Sequence, residues 1–115
     1  MKMIVAIVRP EKAQEVKDAT HEIGINGMTI SHVTGRGRQA GVKFTNRFGE
    51  FTVDEIEKVK FEIVVEDKDV KKVIDTVCKT ATTGSHGDGK IFVVPVEESY
   101  TISDYGANEE EVKKE

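Results

Sequence analysis

Cysteine is all but missing from this sequence. Cys78 stands alone, so no disulfide forms within the chain. Its place on a helical pattern predicts a buried thiol that acts as a small hydrophobe. A basic surplus is missing too. The 17 Lys and Arg against 21 Asp and Glu leave a formal net charge of −4. That is the wrong balance for a nucleic-acid binder, so no nucleic-acid partner is expected. No apolar run comes near the ~20 residues that span a bilayer. Met1–Val8 passes straight into a strand pattern and Arg9-Pro10, without the layout of a secretory signal. The expectation is a cytoplasmic protein that meets a membrane only through a protein partner. Finally, Val93–Val112 holds no basic residue.

What is present reads as one globular domain. The chain is 37% apolar and 33% charged over 115 residues, enough for a real though small core. Met3–Val8 is a continuous, β-branched apolar run, which predicts a strand buried on both faces. Ala13, Val16, Ala19 and Ile23 share one helical face across Glu11–Ile23, and Gly24 stands where a left-handed cap ends such a helix. Met28–Thr34 predicts a second strand. Val59, Phe61, Ile63 and Val65 alternate with Lys60, Glu62 and Val64, the pattern of a half-buried third strand. Asp67 is placed to N-cap a helix over Lys68–Thr80, whose apolar face is Val70, Val73, Ile74, Val77 and Ala81. Ile91–Val96 is the fourth strand, and Pro95 sets it at an edge. Each half is strand, helix, strand. The order is α+β and ferredoxin-like, βαββαβ: a four-stranded antiparallel sheet, strands one and three central, with two helices on one face. The other face has nothing to cover it, which favours self-association. This domain is expected to span residues 1–97. Residues 98–115 form a polar, acidic tail that is poorly ordered or loosely docked.

Gly35 to about Glu57 holds no convincing periodic element and is long for a loop. It carries Phe44, Phe48 and Phe51, three of the five phenylalanines. Such aromatics form a docking surface, or pack back on the body or on a neighbouring subunit. Two Gly-rich stretches flank the domain's second half: GRGRQAG at Gly35–Gly41, and TGSHGDGK at Thr83–Lys90. Glycine lets amides approach an anion closely, and successive N–H groups form an anion-binding concavity. A turn that merely enters a strand is the plain alternative. If the two stretches meet across a subunit boundary, Arg36, Arg38 and Lys90 face the same phosphates. Gln39 offers a neutral oxygen to phosphate-bound Mg²⁺, while Arg9 and Lys58 suit a small carboxylate. Asp88 and Glu62 are available carboxylates, but no nucleophile–base pair is visible. A slow ATPase or phosphotransferase is therefore the enzyme alternative, and a binding protein is the preferred reading. His86 reads as a surface histidine. His21 and His32 lack metal-ligand spacing and read as structural.

Together these pieces resemble the P-II nitrogen regulatory proteins. The resemblance rests on GMTISHVTGRGRQAG at Gly27–Gly41, VDEIEKVKFEIVV at Val53–Val65 and TATTGSHGDGKIFVVPV at Thr80–Val96, and runs from Met1 to about Val96. It implies a homotrimeric signal-transduction regulator with ATP and ADP competing in three inter-subunit clefts. Ile7, Thr29 and Val64 would lie near adenine and ribose, with Gly37, Arg38, Gly87, Asp88, Gly89 and Lys90 serving the phosphates. Gln39 would help hold Mg²⁺. 2-Oxoglutarate would chelate that metal, with Arg9 and Lys58 near its carboxylates and backbone from Gly37 and Gly41. Glu62 would pair with Lys90. The long loop, with Phe44, Arg47, Phe48, Glu50 and Phe51, would be the partner-binding surface. An ammonium transporter is the first partner implied, with nitrogenase or a biosynthetic enzyme as others.

The sequence departs from the family pattern in the long loop and at positions that serve the phosphates. Phe51 stands where many members carry the tyrosine that is uridylylated, and Phe has no hydroxyl to modify. Gly49 stands where some carry a phosphorylatable serine. Thr101 and Ser103 stand where many members carry arginines that reach a neighbour's nucleotide, and Ser85 where a lysine is common. Each lost charge-assisted hydrogen bond is worth roughly 1.5–3 kcal/mol, so two would weaken ATP by about two to four orders of magnitude. The alternative that follows is a divergent P-II-like protein that binds another adenine nucleotide, such as AMP, or a metal.

Overall fold

A computed structural model describes residues 1–36, 42–47, 49–53 and 55–106. Strands β1 (Lys2–Val8), β2 (Thr29–Gly35), β5 (Ile56–Val65) and β6 (Gly89–Pro95) form one sheet in the order β2-β5-β1-β6, antiparallel throughout. Helices α1 (Ala13–Glu22) and α2 (Val70–Ala81) lie between them in sequence. This is the expected ferredoxin-like order, with strands one and three of the repeat at the centre.

The core lies on the helix side of the sheet. Ile4, Ala6 and Val8 of β1 meet Val59, Phe61, Ile63 and Val65 of β5, under Val16 of α1 and Val73, Val77 and Ala81 of α2. Full burial of each large side chain contributes roughly 1.5–3 kcal/mol against its conformational entropy. Thr20 is the single buried polar residue among those described. Its hydroxyl donates to the Val16 and Lys17 carbonyls, 2.8 and 3.0 Å away, so no polar atom is stranded. The chain leaves α1 through Gly24 at φ +89°. There the Gly24 N–H reaches the His21 carbonyl and the Ile25 N–H reaches the Thr20 carbonyl, both elements of a Schellman cap.

Four sequence expectations need correction. β1 is buried on one face only: Ile4, Ala6 and Val8 are sealed, while Met3, Val5 and Ile7 are half-buried. With helices on one side alone, even a continuous apolar strand must leave alternate residues uncovered. The long loop contains two strands, β3 (Val42–Asn46) and β4 (Gly49–Val53), which pair only with each other. The backbone register pairs residue 44 with residue 51, and Gly49 takes φ +122° at the turn. Five-residue strands joined by so short a turn are specified locally, and period 2 is hard to read over so few residues. Asp67 makes no cap hydrogen bond: Asp67–Asp69 is a 3-10 turn. Its carboxylate instead accepts from the Met1 amino group at 2.8 Å and lies 3.6 Å from Lys2 Nζ. Cys78 is exposed. It follows Val77 by about 100° of helical rotation, which carries it off the buried stripe.

Past β6, Tyr100 and Tyr105 stack edge-to-face at 5.2 Å across a short helical turn, α3 (Ile102–Tyr105), whose Ile102 is solvent-exposed. No described helix is long and apolar enough to cross a membrane.

Candidate functional site

Alternation places a different set of side chains on the sheet's second face. Adjacent strands align Val64 with Met3 and Val94, Thr29 with Glu62, Val5 and Phe92, and Ser31 with Lys60, Ile7 and Lys90. Phe92 remains 48% exposed and Val64 46%. Large apolar groups in such a row form a contiguous patch that water disfavours. Ile7, Thr29, Val64 and Lys90, far apart in sequence, thus share one face.

The expected Glu62–Lys90 pair does not form within the chain. β1 lies between β5 and β6, and Glu62 aligns with Val5 while Lys90 aligns with Ile7, so the two residues stand two strands apart in different rows, more than about 10 Å. Glu62 pairs with Lys60 at 3.9 Å. The Lys90 ammonium sits 5.9 Å from the Phe92 ring centroid, within reach of a cation–π contact.

The Gly-rich turn joins α2 to β6. Gly84, Gly87 and Gly89 all take positive φ. At Gly89 the need is absolute, because a Cβ would lie 1.8 Å from the Ile7 carbonyl oxygen. The first anion this turn holds is its own. Asp88 Oδ2 accepts the Thr83 N–H at 2.7 Å and the Gly84 N–H at 3.0 Å. Its Oδ1 accepts the Thr83 hydroxyl and, at 2.9 Å, Arg9 Nε–H. The Thr83 hydroxyl and N–H are the main causes that hold the Asp88 carboxyl far below the usual carboxylate range, with Arg9 and the Gly84 N–H adding to them and partial burial opposing. The Ser85 N–H turns to Thr83 Oγ1. The amides of residues 83–85 are therefore engaged inside the turn, and an anion would meet it from residue 86 onward.

Two cations clamp the far side. Arg9 Nη2 donates to the His86 carbonyl at 2.8 Å, and Lys58 Nζ donates to the Gly87 carbonyl. A Cβ on Gly87 would lie 3.4 Å from Arg9 Nη2 and 3.9 Å from Lys58 Nζ, so both cations crowd that one glycine. Arg9 and Lys58 against Asp88 leave a local excess of positive charge. The two cations around Gly87 suit an anionic ligand. On the helix side of the sheet, between α2 and the start of β6, opens a groove of about 380 Å³ lined mainly by Ile74, Val77, Cys78 and Ala81 with Val8 and Ile91, and reached by Asp88 at its rim.

The structure thus brings together Arg9, Lys58, Gly87, Asp88, Gly89, Lys90 and Ile7. Gly37, Arg38, Gln39, Gly41 and Phe48 lie outside the described residues. So do the side chains of Phe44, Glu50 and Phe51, although their backbone belongs to the hairpin. Arg47 is exposed at the hairpin turn. No cluster of three or more His, Cys, Asp or Glu among the described residues is arranged to hold a metal ion. Sequence reasoning missed Thr83. Its signal was a hydroxyl residue followed, within five positions, by a carboxylate in a run of small residues, the makings of a side chain-closed turn.

The chain matches the family model for "Nitrogen regulatory protein P-II" over residues 1–105. It is 51% identical over 102 residues to "Nitrogen regulatory protein P-II 2" of Methanothermobacter thermautotrophicus, covering 89% of each chain. It is 50% identical over 102 residues to "Nitrogen fixation nifHD region glnB-like protein 1" of Methanococcus maripaludis, covering 89% of this chain and 93% of that one. To "Nitrogen regulatory protein P-II" of Microchaete diplosiphon it is 48% identical over 112 residues, which cover 97% of this chain and 100% of the relative. The ferredoxin-like sheet, the Gly-rich turn and these relationships together show that the chain belongs to the P-II nitrogen regulatory protein family.

Proposed function

We propose that this chain is a signal-transduction regulator of nitrogen metabolism, a homotrimer that reads ATP, ADP and 2-oxoglutarate and acts by binding rather than by catalysis. The observation that carries the reading is the convergence of Arg9 and Lys58 on Gly87, in the turn that leads into Lys90. Two cations around one glycine fit a ligand with several negative charges. The uncovered apolar face around Val5 and Phe92 supports a trimer closed by that face, with each cleft completed by a neighbour's Gly35–Gly41.

In this reading Lys90 holds phosphate, Ile7, Thr29 and Val64 contact adenine and ribose, and Arg9 and Lys58 turn toward a carboxylate. Bound Mg²⁺ supplies the charge that lets phosphates and 2-oxoglutarate share the site, with Gln39 as its protein oxygen. The ligands shift the loop between β2 and β5 from one population to another, and the loop selects partners. Phe51 removes uridylylation from the scheme. An ammonium transporter is the first partner proposed. The nitrogen-fixation name of the Methanococcus relative supports nitrogenase as a second.

Titration calorimetry with ATP, ADP and AMP, each with Mg²⁺ and with or without 2-oxoglutarate, tests the site. The expected result is nucleotide binding, with 2-oxoglutarate binding only when ATP is present. Heat from no nucleotide, or 2-oxoglutarate binding indifferent to nucleotide, would overturn it. Pull-downs from extract with ATP plus 2-oxoglutarate, and again with ADP, test the switch; identical catches count against it.

A further inference from the structure

We propose that the Asp88 side chain is a positioning group of the phosphate-facing turn: its carboxylate shapes residues 83–89 from within and aims Arg9, without itself touching the ligand. The inference deepens the function proposed above and rests on its reading of this turn as a nucleotide site.

The argument begins with capacity. A carboxylate has about four acceptor positions. Those of Asp88 are taken by the Thr83 N–H, the Gly84 N–H, the Thr83 hydroxyl and Arg9 Nε–H, with the Thr82 hydroxyl at 3.5 Å as a distant fifth. No acceptor position remains for a ligand hydroxyl or a metal unless one of these bonds breaks. Every donor comes from the turn or from the end of β1, so the carboxylate joins two elements that the sequence separates by 79 positions.

Arg9 gains its aim from the same contacts. Its guanidinium has five N–H donors in a rigid fork. Nε–H is fixed on Asp88 and Nη2 on the His86 carbonyl, which determines the plane of the group and leaves the Nη1 edge unengaged among the described residues. A long side chain held this way meets a ligand with little rotamer entropy left to lose.

The sign of the effect separates this role from mere proximity. A carboxylate beside an anion repels it, so neutralising a bystander tightens anion binding. Neutralising a positioning carboxylate loosens the turn and Arg9 together, and weakens it.

The test uses the full chain and titrates MgADP and MgATP into the wild type, Asp88→Asn and Thr83→Val. Thr83→Val keeps the backbone N–H and removes only the hydroxyl. Each protein is also melted and sized, and the Arg9 Nε–H resonance is followed by ¹⁵N NMR. The expected result is a loss of about tenfold or more in affinity for both nucleotides in Asp88→Asn, and a smaller loss in Thr83→Val. The Arg9 Nε–H signal should shift in Asp88→Asn before any ligand is added, which a general loss of stability would not cause in a protein that is still folded. Equal or tighter binding by Asp88→Asn, or an Arg9 signal that does not move, overturns the proposal. If Asp88→Asn does not assemble, Thr83→Val decides: unchanged affinity overturns the proposal and weakened affinity supports it. A wild type that binds neither nucleotide overturns the reading of the site itself, and the role of Asp88 with it.

Discussion

Gly89 lies so close to Ile7 that a Cβ on residue 89 would sit 1.8 Å from the Ile7 carbonyl oxygen. The glycine also takes φ +122°, where other residues are strained. The packing of β6 on β1 therefore demands this glycine before any ligand does. Gly89→Ala is expected to lose roughly 2–5 kcal/mol of stability, from backbone strain and from the displaced strand end. Urea unfolding measures it, and an unchanged midpoint would show that the close approach relaxes freely.

Acid should reveal the Asp88 network. Its folded carboxyl is held far below its usual value near 3.8, mainly by Thr83. The folded state thus resists a proton that the unfolded chain accepts. This contribution is complete above the unfolded value and is lost as pH falls through the folded one. The gap in melting temperature between wild type and Asp88→Asn should be constant from pH 7 to 5 and narrow below about pH 4. A gap that widens on acidification has the wrong sign for this account. Asp67 is lowered in the same direction by the Met1 amino group and then Lys2. Being largely exposed, it should add little.

The uncovered sheet face makes its own prediction. Phe92→Glu sets a charge in the row formed by Thr29, Glu62, Val5 and Phe92. The core lies on the opposite side, so the monomer should keep its fold. Light scattering after gel filtration should show a trimer for the wild type and smaller species for the variant, with unchanged far-UV circular dichroism. A variant that stays trimeric would move the interface elsewhere.

Lys90 extends from the same face, with only the Phe92 ring as a partner among the described residues. Lys90→Gln should leave stability almost untouched. It should weaken MgATP by about one to two orders of magnitude, the range of one charge-assisted hydrogen bond to phosphate. Calorimetry reads the affinity, and equal binding would remove Lys90 from the site.

The elements of the domain were legible because each rests on local periodicity. Val59, Phe61, Ile63 and Val65 announce a half-buried strand, and Val73, Val77 and Ala81 a helix face, whatever surrounds them. The two-stranded hairpin was not legible, since five residues carry too little pattern. Nor was the exposure of Cys78, which depends on where the buried stripe of α2 ends.

The candidate site divides in the same way. Glycine spacing and Lys90 mark the turn in the sequence, because positive φ and a nearby cation are properties of individual residue types. The clamp of Arg9 and Lys58 on residues 86 and 87 and the separation of Glu62 from Lys90 are set by strand order and register. By itself the chain determined which segments are strands, helices and turns, since those follow from neighbours a few positions apart. Only the tertiary structure decided which charges meet, because Coulomb and hydrogen-bond partners are chosen by distances that antiparallel pairing creates between residues tens of positions apart.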